Sequence, residues 1–133
     1  LISYTFKTRV RYSDIDKMGV VYYSRYYEYF ESARTEMLRD LGIPYTEFEA
    51  KGYSMPAVES YCRYISGAQY DDQLFVECKI LNLPRSTIRI DYEVIDQSDI
   101  SIAEGYTIHA FLNPKGRAVK PPGFLMKSIE ERI

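Results

Sequence analysis

The chain contains no tryptophan, a single histidine and two cysteines. That histidine, His109, has no serine or cysteine nucleophile motif around it, which argues against a histidine-based triad and for a surface or packing role on a strand. Cys62 and Cys78 lack metal-type spacing, so buried, reduced thiols are favoured over a disulfide or a zinc site. Basic and acidic residues number 17 and 19, interspersed to a net charge of −2. This lacks the electrostatic footprint of a nucleic-acid binder, and no nucleic-acid partner is expected. No run approaches the roughly 18 apolar residues of a membrane span, and Leu1–Arg11 alternates instead of forming a signal-peptide core. The expectation is a cytoplasmic protein without a transmembrane segment.

What the chain does have is tyrosine, 14 of them beside 6 phenylalanines, many lying between Tyr22 and Tyr70. Tyrosine offers apolar area with a polar tip, which suits subunit interfaces and partly wet pockets alike. With 46% hydrophobic and 27% charged residues, residues 1–133 read as one folded domain with a real core.

From Tyr4 to Tyr12, the residues Tyr4, Phe6, Thr8, Val10 and Tyr12 alternate with Thr5, Lys7, Arg9 and Arg11, the period of an amphipathic strand. Residues 13–23 break that period around Asp14, Asp16 and Gly19, and a helical pattern then begins with Ser24 as its N-cap. Tyr26, Tyr27, Phe30, Ala33, Met37, Leu38 and Leu41 recur at helical spacing. One helix of about five turns should therefore bury a single face, stopped by Gly42 and Pro44. A shorter helix is expected over 45–51, then strands over 56–65, 72–82, 86–96 and 101–112, a turn at Asn113-Pro114-Lys115-Gly116 and a short strand at 117–119. This order gives an α+β architecture with the long helix packed on an antiparallel sheet. Tyr61, Tyr64, Phe75 and Phe111 are expected on the other sheet face, where they favour subunit association.

The richest local chemistry lies in Tyr12-Ser13-Asp14-Ile15-Asp16-Lys17-Met18-Gly19-Val20-Val21-Tyr22-Tyr23, between the first strand and the long helix. It combines two carboxylates, a glycine that permits close backbone approach, phenolic donors and the free N–H groups of a helix start. Such groups polarise a carbonyl beside an anionic nucleophile or base, although a structural turn with an Asp cap uses the same residues.

This segment, the helix string Glu31-Ser32-Ala33-Arg34-Thr35-Glu36-Met37-Leu38-Arg39, Tyr70-Asp71-Asp72 and Arg85-Ser86 together resemble the thioesterases of the 4-hydroxybenzoyl-CoA thioesterase group. The chain looks closer still to their bacterial Tol-Pal-associated relatives. The resemblance implies a hotdog fold, an antiparallel sheet wrapped around one long central helix, in dimers or tetramers with active sites at subunit boundaries. It implies an acyl-CoA thioester hydrolase that needs no cofactor and no metal. Asp16 matches the catalytic aspartate, either as nucleophile toward the thioester carbonyl or as general base for water. An ordinary Asp pKa near ~3.9 makes a weak base at neutral pH, which favours the nucleophile.

By the same resemblance Tyr23 stands where relatives carry histidine or tyrosine and orients the thioester, with Gly19, Val21 and Tyr22 on the substrate. Tyr12 helps hold the site, or is simply a buried strand aromatic. Asp14 is read as stabilising the turn and Glu59 as an exposed strand residue. Arg85, Ser86 and Arg117 match regions that contact the nucleotide end of CoA, where a guanidinium pairs with phosphate. Two other functions compete: a non-catalytic acyl-thioester binding module, and a thioesterase acting on acyl carrier protein. Neither composition nor resemblance chooses among aryl, short, medium or long acyl chains.

Overall fold

In the computed structural model, which describes residues 2–132, the first strand β1 (Ile2–Arg9) is followed by a loop, the long helix α1 (Arg25–Asp40) and the short helix α2 (Tyr45–Ala50). Strands β2 (Ala57–Tyr64), β3 (Gln73–Ile80), β4 (Ile88–Asp96) and β5 (Ser101–His109) come next, and helix α3 (Gly123–Glu130) follows. The five strands form one sheet in the order β1-β3-β4-β5-β2, every pair antiparallel.

Alternation decides which face the helix covers. Leu74, Val76, Cys78 and Ile80 of β3 and Ile88, Ile90, Tyr92 and Val94 of β4 are buried, while the residues between them reach the outer face. Register carries the inner row across the whole sheet: Tyr4, Cys78, Tyr92, Gly105 and Cys62 stand side by side. Over this row lies α1, whose Phe30 stacks on Tyr92 with ring centroids 4.2 Å apart and planes 7° apart. Its Met37 sulfur approaches the Cys78 thiol at 3.6 Å. Gly105 is what lets Phe30 come so close, because a Cβ there would sit 3.1 Å from the Phe30 ring and collide with the Tyr61 carbonyl oxygen.

The helix stop is the one the sequence signals. Gly42, at φ +82°, donates to Arg39 O at 2.9 Å, and Ile43 donates to Leu38 O at 3.0 Å. This pair of backward bonds satisfies the last carbonyls. The start differs from expectation, since Ser24 has helical backbone angles and its side chain makes no cap bond. Turn bonds from Arg25 N to Tyr22 O and Tyr26 N to Tyr23 O already wind the chain before Ser24.

Other departures have local causes. The first strand ends at Arg9 because residues 12–14 wind into a single 3₁₀ turn, so Tyr12 leaves the sheet. The expected strand at 117–119 is reduced to one bridge between Leu112 and Ala118. Helix α3 was not anticipated, though Leu125 and Ile129 bury its inner side and Phe124 meets Phe48 at 4.8 Å. Of the four aromatics expected on the outer face, Tyr61 and Phe75 lie there. Phe111 is fully buried, and Tyr64 shares the inner row of Val94 and Ala103, facing α1. Cys78 is buried as expected and Cys62 is half-buried. Strand β2 is an edge whose eight residues all retain exposure. Among the described residues, no helix is long and apolar enough to cross a membrane.

Candidate active site

The loop between β1 and α1 is held by its own backbone. Asp16 N donates to Val20 O at 2.9 Å, Gly19 N donates to Asp16 O at 3.0 Å, and Val21 N reaches across to Ala68 O at 2.8 Å. Gly19 turns the chain at φ +79°, a conformation that costs a residue with a side chain. Val20 packs so tightly on Gly67 that a Cβ there would lie 2.7 Å from the valine methyl. The segment is thus clamped between the start of α1 and the stretch after β2.

This clamp aims the Asp16 carboxylate. Its Oδ1 accepts the Met18 N–H at 2.8 Å, and no donor among the described residues reaches its Oδ2. Half-buried Asp16 lines a cleft of about 380 Å³ together with Val21, Tyr22, Tyr23, Tyr26 and Tyr64. The tyrosines form a connected wall: Tyr22 and Tyr23 rings lie 4.7 Å apart, Tyr23 meets Tyr64 edge-on at 6.2 Å, and Tyr64 meets Tyr26 at 5.6 Å. Burial pushes the Tyr26 phenol up to about 12. The Tyr22 phenol is also raised, first by the neighbouring Tyr23 hydroxyl, and in smaller part by the Asp16 charge. Both remain protonated donors at neutral pH. Where the chain enters α1, the N–H groups of Tyr23 and Ser24 have no acceptor among the described residues.

Asp16, Val21, Tyr22 and Tyr23, four of the residues singled out in the sequence, therefore share one cleft, with Gly19 shaping the turn behind them. Tyr12 is not on its wall. It is 74% exposed and lies edge-on to Tyr70, ring centroids 5.3 Å apart, because the 3₁₀ turn swings it off the strand. Arg85 and Ser86 line a different cavity of about 780 Å³ with Leu83, Thr87, Arg89 and Met126. Arg117 is exposed beside the Asn113 turn, its N–H bonded to Asn113 Oδ1 at 3.0 Å.

Register explains the separation. Arg9 pairs with Gln73 at the sheet end that carries the Asp16 loop, whereas Ile2 pairs with Ile80 at the other end, where the 81–87 connection begins. Eight residues of strand separate the two ends, roughly 25 Å. Within one chain, Arg85, Ser86 and Arg117 are not brought to Asp16.

Sequence reasoning missed Tyr26 and Tyr64 as cleft residues. Helical spacing puts Tyr26 on the core face, and only the fold shows that β2 ends beside the helix start. Glu59 is not a free carboxylate, since it accepts the Tyr106 hydroxyl at 2.6 Å on the outer face. His109 is 2% exposed, its imidazole bonded on both nitrogens beneath α1.

A sequence profile for the family described as the Thioesterase-like superfamily matches residues 10–129. The chain is 34% identical over 93 residues to the acyl-CoA thioesterase YbgC of Haemophilus influenzae, covering 69% of this chain and 68% of that one. Among solved structures, a hypothetical protein from Aquifex aeolicus superposes with a TM-score of 0.89 at 31% identity, over 94% of this chain and 98% of the other. The gentisyl-coenzyme A thioesterase BH1999 superposes with a TM-score of 0.84 at 26% identity, over 95% and 98%.

Proposed function

The chain belongs to the thioesterase-like superfamily, with the hotdog arrangement of a five-stranded sheet around one long helix, and from that premise we propose that it hydrolyses acyl-CoA thioesters to a free carboxylic acid and CoA. One observation carries the reading: the Asp16 carboxylate, anchored by one oxygen and open at the other, shares a cleft with Tyr22 and Tyr23 at the start of α1. The relatives named above as thioesterases act on CoA esters, which supplies the substrate class. Tyr12, the Asp14-Ile15-Asp16 triplet and Gly19-Val20-Val21-Tyr22 favour the Tol-Pal-associated group within the family. We read residues 1–133 as a single domain working in the cytoplasm.

In this mechanism Asp16 Oδ2 attacks the thioester carbonyl carbon while the thioester oxygen accepts from the Tyr23 hydroxyl and the unpaired Tyr23 and Ser24 amides. Preorganised donors of this kind stabilise charge as it develops on oxygen. The C–S bond breaks, CoA leaves as thiolate and takes a proton from solvent, and water then hydrolyses the acyl-aspartyl anhydride. The general-base route keeps the same donors and has Asp16 take the proton of an attacking water. Fixing one carboxylate oxygen on Met18 N–H, with the other open to the cleft, suits the nucleophile.

The nucleotide end of CoA fits the Arg85–Ser86 cavity, where Arg85 offers a guanidinium group for phosphate beside apolar Leu83 and Met126, while the neighbouring Arg89 is already bonded to Asp91 at 3.0 Å. Arg117 lies at that same end of the sheet, beyond β5. A substrate spanning Asp16 and Arg85 then needs two chains. Edge strand β2 supplies the join: a two-fold antiparallel pairing of β2 with its copy sets the Tyr64 end of one against the Ala57 end of the other. The partner's 81–87 connection thereby comes toward Asp16. Exposed edge strands are templates for such pairing, so the working unit is a homodimer that can assemble further into a tetramer.

A panel of short, medium, long and aryl acyl-CoAs, read by released thiol for the wild type and Asp16→Asn, tests the proposal. Turnover that disappears in the folded variant supports it. A variant as active as wild type sinks the assignment of Asp16, and a wild type inert on every ester moves the protein toward carrier-protein substrates or a binding role.

A further inference from the structure

Two residues before Asp16, the carboxylate of Asp14 is only 1% exposed. Its Oδ2 accepts two hydrogen bonds, from the Arg11 N–H at 3.0 Å and from the Tyr29 hydroxyl at 2.9 Å. Its Oδ1 has no hydrogen-bond donor, yet lies 3.6 Å from Arg11 Nη2 and 3.9 Å from Arg25 Nε. The Asp14 backbone adds two further ties, its N–H donating to Arg11 O and its carbonyl accepting the Tyr22 N–H, each at 2.9 Å. Arg25 completes the frame by donating from Nη2 to Ser13 O at 3.1 Å.

Burying an ionised carboxylate is costly unless charges and donors compensate it. A surface turn does not require it, since an exposed Asp or Asn caps a turn as well. Here the compensation of the carboxylate comes from three directions that matter to the cleft: Arg11 before the loop, Arg25 at the start of α1, and Tyr29 one turn further along the helix. The tyrosine is itself shaped to the task, its phenol raised by burial and by the bond to Asp14, so it stays a donor.

We propose that Asp14 is a positioning residue for thioester hydrolysis: its buried carboxylate ties the start of the 12–23 loop to Arg25 and Tyr29 of α1 and so fixes the Asp16 carboxylate against the Tyr23 and Ser24 donors. The proposal rests on the reading of Asp16 given above. It assigns Asp14 no contact with substrate. Displacement of a reacting group by about 1 Å is enough to cost on the order of 10²-fold in rate, and one lost anchor two residues from Asp16 allows such a shift.

The test compares steady-state kinetics of wild type, Asp14→Asn, Tyr29→Phe and Asp16→Asn on the best acyl-CoA of the panel. Asparagine keeps the shape of Asp14 but turns an amide N–H₂ toward Arg11 and Arg25 in place of a negative charge. Expected for Asp14→Asn is a fall in kcat of tenfold or more, on the order of the misplacement cost, with KM nearly unchanged and a folded circular-dichroism spectrum. Tyr29→Phe keeps the carboxylate and removes one anchor, so a smaller fall in kcat at constant KM is expected; this variant decides the matter if Asp14→Asn does not fold. Wild-type kcat in either folded variant, or a loss confined to KM, overturns the proposal while an inactive Asp16→Asn leaves the thioesterase reading standing. An Asp16→Asn protein as active as wild type, or an inert wild type, overturns that reading and this inference with it.

Discussion

The Nδ1 atom of His109 lies 3.0 Å from the carbonyl oxygen of Met55, and this one distance fixes the direction of a buried chain of hydrogen bonds. A carbonyl only accepts, so Nδ1 carries the proton and Nε2 must accept. The donor to Nε2 is the Thr107 hydroxyl at 2.9 Å, and the Thr107 oxygen in turn accepts from Tyr92 at 2.7 Å. The chain runs from Tyr92 of the central strand β4, through Thr107 and His109 of β5, to Met55, two residues before β2.

Protonating His109 would turn Nε2 into a donor and break that direction. Burial lowers its pKa below the ordinary 6.5, helped by the Arg34 charge and opposed by the Met55 carbonyl. The folded state thus binds this proton less readily than the unfolded one. Its contribution to stability is present above about pH 6.5 and is lost as pH falls toward the folded value. We expect urea midpoints to drop between pH 7 and pH 5 in the wild type. His109→Gln should cost about 1–3 kcal/mol at pH 7 from broken bonds, and should show a shallower drop. An equal pH slope in both proteins would contradict the assignment.

Gly105 is a second point where packing leaves no latitude. An added methyl meets the Tyr61 carbonyl oxygen on one side and the Phe30 ring on the other. Neither is the free end of a flexible chain, for Tyr61 O belongs to β2 and Phe30 is stacked flat on Tyr92. Gly105→Ala should therefore destabilise by about 1–3 kcal/mol through overpacking, despite alanine's lower entropy cost. Equilibrium denaturation reads this directly, and a neutral or stabilised variant would show that the helix has room to lift.

The hydroxyl pair Tyr22–Tyr23 separates two donors that the sequence alone makes equivalent. Their rings lie 4.7 Å apart on one wall of the cleft, and the resemblance to the family assigns the thioester oxygen to Tyr23. Tyr23→Phe is predicted to lower kcat by roughly ten- to a hundredfold, the scale of one lost oxyanion donor. Tyr22→Phe, which leaves the Tyr23 hydroxyl in place, should have the milder effect. If the two variants fall equally, or the order reverses, Tyr23 is not the group that meets the oxygen.

Much of this arrangement is legible in the sequence because it rests on local rules. Alternation placed β3, β4 and β5 within a few residues, and Gly42 with Pro44 marked the end of α1 because backbone conformation there leaves little choice. The Asp16–Tyr23 loop was recognisable as a motif, and it does form one side of a cleft. What sequence order hides is proximity between distant segments. Tyr64 reads as an outward strand aromatic until β2 is seen to pair with β5 so that Tyr64 stands opposite Ala103. Asp14 reads as a turn former because its partner Tyr29 lies 15 positions away on a helix face. Helix α3 is the exception, since the Pro121-Pro122 start and the Leu125, Ile129 spacing are local signals of a helix.

The proposal that Asp16 of one chain works with Arg85 of another can be tested by complementation. Asp16→Asn homodimers should be inactive, and Arg85→Ala homodimers should keep their chemistry while losing affinity for CoA esters. In a mixed dimer the intact Asp16 of one chain faces the intact Arg85 of the other, so one of its two sites is whole. Refolding the two variants together in equal amounts should restore roughly a quarter of the wild-type sites if association is random. Turnover at low acyl-CoA would then exceed that of either parent at the same total concentration. If Arg85 instead served the Asp16 of its own chain, every site would lack one group and mixing would restore nothing. A short thioester without the nucleotide provides the control, because Arg85→Ala should hydrolyse it as the wild type does and mixing should give only the average of the parents.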